Sequence, residues 1–274
     1  MFNQLEILSD EQNKKLDTIR RYIKSLDSVC IAYSGGVDST LVASLAFEQL
    51  GSKAIAITGI SPALATTLRE EARRQAKWIG VKHLEIKTSE LDQSSYSKNS
   101  KDRCFACKKE LHKHTTYLSK KLNYKIVLDG VNLDDLKDYR PGIQAAKKAG
   151  VVSPLAKFKF SKKDIRDISR ALGFPWWDKP AQPCLSSRFP YGNEITSERL
   201  KMVEKAEEYL KEYGISEVRV RCQGSTARIE IPKDELKHFF KKYNFNELVQ
   251  YFYNLGFNCT SLDLEGLISG KLNR

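Results

Sequence analysis

Residues Ile31-Ala-Tyr-Ser-Gly-Gly-Val-Asp-Ser-Thr40 decide how this chain reads. The apolar run leading into them, Ser28-Val-Cys-Ile-Ala-Tyr33, predicts a buried strand. It ends in Ser34-Gly35-Gly36, and Val37 to Leu50 follows as an amphipathic helix. A strand, a glycine turn and a helix N-terminus together make an anion site, because backbone N–H groups and the positive end of the helix dipole point into the turn. Gly35 and Gly36 permit positive φ and close backbone approach. Ser34 and Ser39 add hydroxyls, and Asp38 is placed to hold Mg2+ on bound phosphates.

Two common phosphate loops do not fit, since the stretch has neither G-x-x-x-x-G-K-[ST] nor G-x-G-x-x-G. Ser34-Gly-Gly-Val-Asp-Ser39 instead resembles the PP-loop, S-G-G-x-D-S, of the ATP pyrophosphatases. The resemblance implies ATP held by its β,γ-pyrophosphate and attacked at the α-phosphate. The implied chemistry is adenylation with release of pyrophosphate. The plain alternative is a glycine-rich turn that caps a helix.

Outward from this loop, strand and helix patterns alternate. Ser9-Asp-Glu-Gln12 reads as a capping box opening a helix to about Leu26. Strands are predicted at Val29–Tyr33, Ala54–Gly59, His83–Lys87 and Lys125–Asp129, with a short one at Val151–Pro154. Helices are predicted at Val37–Leu50 with Gly51 as a left-handed cap, Leu64–Ile79, Lys108–Leu122 and Ser161–Leu172, with a short one opened by Tyr139-Arg-Pro-Gly142. Strands separated by helices of this length pair in parallel through right-handed crossovers, which makes a doubly wound α/β sheet. Ligands bind at the carboxyl ends of such strands, so Ser34–Ser39, Gly59–Ser61 and Asp129-Gly130 should converge. After Pro175-Trp-Trp-Asp-Lys-Pro180 the pattern changes. A helix at Thr196–Tyr213 precedes two alternating runs, Glu217–Cys222 and Ala227–Ile231, which read as an antiparallel hairpin. Helical segments around Lys233–Lys242 and Asn246–Leu255 lead to a last strand at Cys259–Leu264. The expected division is a nucleotide domain, 1–180, and a smaller α+β domain, 181–274, for substrate binding or oligomerisation.

The 274 residues suffice for two domains, and 41% hydrophobic content is ordinary for a globular chain. No apolar run is long enough to span a bilayer, and Met1-Phe-Asn-Gln-Leu-Glu carries no signal-peptide pattern. A cytoplasmic protein without membrane contact is the expectation. The net charge of +12 suits small polyanions or nucleic acid, but lysine and arginine are spread along the chain, and most read as solvated helix faces.

Six cysteines in such a chain do not suggest a disulfide framework. Cys30, Cys222 and Cys259 read as strand residues. Cys104 and Cys107 lie after a loop and before a helix, among Arg103, Lys108 and Lys109, a setting that lowers thiol pKa. Cys184 lies in the loop Pro180-Ala-Gln-Pro-Cys-Leu-Ser-Ser-Arg188. Three thiolates can hold three irons of a four-iron cluster and leave one iron open. Zinc asks for a fourth ligand, which His112 or His114 can supply, and a redox pair or inert thiols are the other readings. Arg219 and Arg221 share a strand face suited to a phosphate or carboxylate, although spacing alone favours a solvated outer face. Asp263, between Leu262 and Leu264, should face away from the apolar side. Arg140 either meets nucleotide phosphates or, with Pro141, merely opens a helix.

In chain order, Ser34–Ser39, Leu128-Asp-Gly130, Asp138-Tyr-Arg-Pro-Gly142, Ser186-Ser-Arg-Phe-Pro-Tyr-Gly192, Val218-Arg-Val-Arg221 and Thr260-Ser-Leu-Asp-Leu264 resemble the LarE-type ATP-dependent sulfur transferases over nearly the whole chain. That family adenylates carboxylates of pyridinium-3,5-biscarboxylic acid mononucleotide and converts them to thiocarboxylates for a nickel-pincer cofactor. Carried over by motif, Ser34, Gly35, Gly36, Asp38, Ser39, Gly130 and Arg140 would bind ATP with Mg2+. Arg219, Arg221 and Asp263 would bind the mononucleotide, and Ser187 and Arg188 would line the reaction site. One branch of the family sacrifices a cysteine in the loop before Ser-Ser-Arg. Another holds a [4Fe–4S] cluster on three cysteines, which here would be Cys104, Cys107 and Cys184. The resemblance also implies a homo-oligomer, with an outside sulfur donor in the cluster branch and sacrifice of Cys184 in the other. The rival readings are a tRNA thiolation enzyme, and a nucleotide-binding module with structural zinc.

Overall fold

The computed structural model describes residues 4–137, 141–215, 217–242, 244–268 and 270–271. The chain divides into two compact units. One runs to Glu90 and resumes over Cys104–Gln182; the other joins Leu91–Arg103 to the residues from Pro183 onward.

The first unit is built on strand β1 (Val29–Ala32), buried at all four positions. It pairs in parallel with β2 (Ala54–Ile60) on one side and β4 (Ile126–Leu128) on the other. β3 (Lys82–Lys87) adds to β2, so the order is β3-β2-β1-β4, all parallel. Period-two alternation divides these strands between two cores. Val29, Ile31, Ala54 and Ala56 point into the larger core, with residues of α1 (Asp10–Lys24), α2 (Val37–Leu50), α3 (Thr66–Ile79) and the later helix Lys162–Ala171. Cys30, Ile55, Ile57 and Val127 point the other way, against Leu118 of the helix Arg103–Lys121. Helices therefore cover both faces, which is what an all-parallel sheet requires. Ser9 caps α1 in the expected capping box with Gln12.

In the remaining numbering, α4 is Ser94–Ser97, α5 Arg103–Lys121, α6 Pro141–Lys148, α7 Pro154–Lys157, α8 Lys162–Ala171 and α9 Ser197–Glu212. α10 (Leu236–Lys242) and α11 (Phe245–Leu255) follow. The second unit carries the hairpin β5 (Arg219–Gln223) and β6 (Thr226–Glu230), antiparallel as the alternation implies. β7 (Cys259–Leu262) adds to β6 in parallel. Among the described residues no helix is long and apolar enough to cross a membrane.

Four local expectations change. α5 begins at Arg103, not Lys108, so Cys104 and Cys107 lie inside its first turns. Gly51 has φ 56° and ψ −125°, outside the left-handed helical region, because the chain enters a 3-10 turn there. The strand at 151–154 shrinks to one bridge, Leu128 to Val152, since Pro154 already starts α7. β7 stops at Leu262; beyond it Asp263 turns inward at 9% exposure and Leu264 outward at 72%.

Candidate functional site

The loop after β1 is closed by its own side chains. The Ser34 N–H donates to Ser39 Oγ over 3.2 Å, and Ser39 Oγ donates to the Gly36 carbonyl over 3.1 Å. The two serine hydroxyls stand 3.1 Å apart, so the Ser34 hydroxyl is the donor between them. Ser39 is therefore buried and used within the loop. Gly36, the N-cap of α2, has no side chain to cap it. The first-turn amides of Val37, Asp38 and Ser39 are left for an anion. Gly35 has φ +71°, and a Cβ there would stand 3.0 Å from Ala72 Cβ in α3. Gly130 is tighter: a Cβ would lie 2.6 Å from the Ser39 nitrogen and 2.9 Å from its Cα. Only glycine lets the chain after β4 meet the start of α2. Asp129-Gly130 thus converges on the loop as expected. Gly59 instead packs on α5, where an added Cβ would stand 2.9 Å from Leu111 Cδ1.

Asp38 is engaged by a residue that sequence reasoning missed. Lys162 Nζ reaches its two carboxylate oxygens at 2.7 and 2.5 Å, and Asn132 Nδ2 donates to one of them over 3.3 Å. Lys162 is the first residue of α8, its backbone N–H bonded to Asp134 at 2.8 Å. The only local signal there was the capping pattern at Ser161, which fixes the helix start and nothing more. Burial raises the pKa of Asp129, behind the loop. Arg140, with Asp138, lies outside the described residues.

Cys104 is exposed and Cys107 half-buried, three residues apart on α5 and so on one side of it. Cys184 is exposed, just before the 3-10 turn Leu185–Arg188. Cys104 and Cys107 belong to the first unit and Cys184 to the second. Among the described residues no group of three or more His, Cys, Asp or Glu side chains is gathered as a metal site. His114 is hydrogen-bonded to Glu110 at 2.8 Å, and His112 is buried with neither ring nitrogen partnered. Arg103, expected beside the thiols, is instead buried and bonded to Asn99 and to the Ser186 carbonyl.

Within the second unit, residues 91–103 hold the Ser-Ser-Arg segment. Tyr96 Oη lies 2.6 Å from Ser186 Oγ. Asn99 Nδ2 donates to the carbonyls of Phe189 and Pro190 at 3.2 and 2.7 Å. Sequence reading left these residues in an undistinguished polar stretch. Arg188 makes a bidentate pair with Glu207 at 2.8 and 2.9 Å, and its other nitrogen donates to Ser187 Oγ at 3.0 Å. Burial opposes its charge, but Glu207 outweighs that and raises its pKa. Arg221 is 3% exposed, paired with the fully buried Glu230 at 2.8 Å and bonded to the Ser187 carbonyl at 2.7 Å. A solvated outer face is thus ruled out for Arg221. Arg219, half-buried on the same strand, has no hydrogen-bond or ion-pair partner for its guanidinium among the described residues. Burial first, then Arg188 and Arg221, push its pKa below the ordinary arginine value. Asp263 is held by Lys271 at 2.6 Å and Arg228 at 3.3 Å. Burial works against its charge, but Lys271 more than offsets that and its pKa is lowered. Arg228, which also pairs with Glu230 at 3.2 Å, escaped the sequence reading.

A profile of the NAD synthase family matches residues 11–123, the part that carries the loop. An uncharacterised protein of Synechocystis sp. is 53% identical over 260 residues, 95% of this chain and 97% of that one. A second uncharacterised protein, from Methanocaldococcus jannaschii, is 34% identical over 92% of this chain and 96% of its own. The pyridinium-3,5-bisthiocarboxylic acid mononucleotide synthase of Lactiplantibacillus plantarum is 34% identical over 261 residues, 94% of each chain. The chain belongs to the LarE family. This LarE homologue is accordingly an ATP-using sulfurtransferase of the PP-loop class. Its residues suit the groups that chemistry needs. Uncapped α2 amides suit a pyrophosphate, and the Asp38 carboxylate suits Mg2+.

Proposed function

We propose that this chain adenylates carboxylates of pyridinium-3,5-biscarboxylic acid mononucleotide and converts them to thiocarboxylates in nickel-pincer cofactor synthesis. The observation that carries the reading is Arg219. Arg188 and Arg221 are ion-paired with Glu207 and Glu230, while Arg219 has no ion-pair partner of its own among the described residues. A mononucleotide with a phosphate and two carboxylates supplies one.

The geometry supports the following roles. Ser34, Gly35 and Gly36 shape a turn whose α2 amides take the β,γ-pyrophosphate, and Ser39 braces that turn from within. Asp38 is the carboxylate that would hold Mg2+, and Gly130 seats the loop. A substrate carboxylate oxygen attacks the α-phosphate, the bond to the pyrophosphate oxygen breaks, and an acyl-adenylate forms. Arg219 binds the mononucleotide, with Arg221 and Asp263 fixing its surroundings. Arg188 and Ser187 are held rigid beside Cys184, whose carbonyl Arg188 bonds at 3.3 Å. We assign Cys104, Cys107 and Cys184 as the thiolates of a [4Fe–4S] cluster, which when bound supplies an open iron site for sulfide. Displacement of AMP from the adenylate carbonyl by sulfur then completes each round.

The test incubates protein, ATP, Mg2+, sulfide and the biscarboxylic mononucleotide, and reads pyrophosphate together with the substrate's mass. Oxygen-to-sulfur exchange is expected, and Arg219→Ala should raise KM for the mononucleotide while sparing the fold. Pyrophosphate release that does not depend on the mononucleotide would overturn the assignment.

A further inference from the structure

Lys162 occupies the position where a cation is wanted. Its ammonium lies within 2.7 Å of both oxygens of Asp38, and Asp38 is the second residue of α2, inside the turn whose amides are uncapped. The two ends of Lys162 are under different constraints. Its backbone is fixed at the start of α8 by the Ser161 capping box and by Asp134. Its side chain is a flexible four-carbon stem, 36% exposed, with a point charge at the tip. Asp38 itself does not swing freely, because Asn132 bonds it and is in turn locked to the amides of Asp134 and Asp135 at 2.9 and 3.1 Å. The carboxylate thus has a second, fixed neighbour, while the ammonium sits at the end of a flexible stem.

A divalent cation and this ammonium compete for the same two oxygens. Mg2+ gives up its water reluctantly, and a carboxylate already neutralised by an ammonium has less charge with which to replace that water. An anion seated on the α2 amides changes the balance, since it offers the ammonium a second partner a few ångströms away. We infer that Lys162 is the resting counter-ion of Asp38, and that it passes to the pyrophosphate as Asp38 takes Mg2+ with ATP. The exchange moves no covalent bond. It keeps Asp38 neutralised before ATP arrives, excludes free metal from the loop, and brings a positive charge to the leaving group.

This inference rests on the nucleotide reading of the loop and not on the identity of the mononucleotide. Its test uses Mn2+, read by electron paramagnetic resonance, and inorganic pyrophosphate, read by calorimetry, on the full chain without ATP. Wild type should leave Mn2+ free, whereas Lys162→Met should bind it, and Asp38→Asn added to that variant should abolish the binding. Lys162→Met should weaken pyrophosphate binding roughly ten- to a hundredfold, and Lys162→Arg should restore most of it. Equal Mn2+ binding by wild type and Lys162→Met would overturn the proposal, as would unchanged pyrophosphate affinity. Circular dichroism checks that the variants fold. Asp38 keeps 23% side-chain exposure, so water can solvate it when the lysine is gone. If these shifts appear while the pyridinium mononucleotide is not turned over, the substrate assignment fails and the exchange stands.

Discussion

Replacing His112 with leucine should remove an acid sensitivity that the fold carries in its first unit. His112 is 1% exposed on α5, and neither ring nitrogen has a hydrogen-bond partner. Burial first and Lys108 second lower its pKa from 6.5 to about 3. An unfolded histidine takes up a proton near pH 6.5, while the folded one stays neutral until near pH 3. Below pH 6.5 the unfolded state therefore binds more protons, and stability falls as pH falls across that window. Between pH 7 and pH 5 the loss is about 2 kcal/mol, since each pH unit well inside the window costs about 1.4 kcal/mol. Urea unfolding of wild type and His112→Leu at both pH values measures it. Carboxylates and other histidines titrate in both proteins and cancel in the double difference. At pH 7 the variant should be more stable by roughly 1–2 kcal/mol, because two unpaired polar atoms leave the core. An identical pH dependence in the two proteins would refute the reasoning, for it would mean that the ring is partnered or wet.

Gly130→Ala should lower pyrophosphate release about a hundredfold in a steady-state assay, because its Cβ would stand 2.6 Å from the Ser39 nitrogen and displace the loop. Glu230→Leu should destabilise the protein by about 3–5 kcal/mol in denaturant melts, since Arg221 is left buried without its acid. Cys184→Ser should abolish thiocarboxylate formation while leaving pyrophosphate release intact, read by mass spectrometry and a coupled phosphate assay. Loss of both activities would place Cys184 in adenylation. Iron and acid-labile sulfide per chain after anaerobic purification should be about four each and should drop in Cys104→Ala. Zinc in their place would remove the cluster from the proposal.

The sequence by itself determined what depends on neighbours along the chain. An apolar run marked β1, strict alternation marked the hairpin of the second sheet, and Ser9 marked the start of α1 by capping. The anion loop was legible as well, because a glycine turn between a strand and a helix needs only local backbone geometry. Tertiary structure alone decided the partners. Lys162 meets Asp38 across 124 positions, and Asn99 meets Pro190 across 91. Nothing in the pattern near Lys162 distinguishes it from Lys163, which pairs with Asp167 on the surface of the same helix. Arg221 read as a surface charge because alternation tells which residues share a face and not whether that face is covered. Asp263 is buried against Lys271 and Arg228 because β7 stops at Leu262, and alternation holds only while the chain stays extended. A charged side chain's partner is chosen by packing between distant segments, and no periodicity within one segment carries that information.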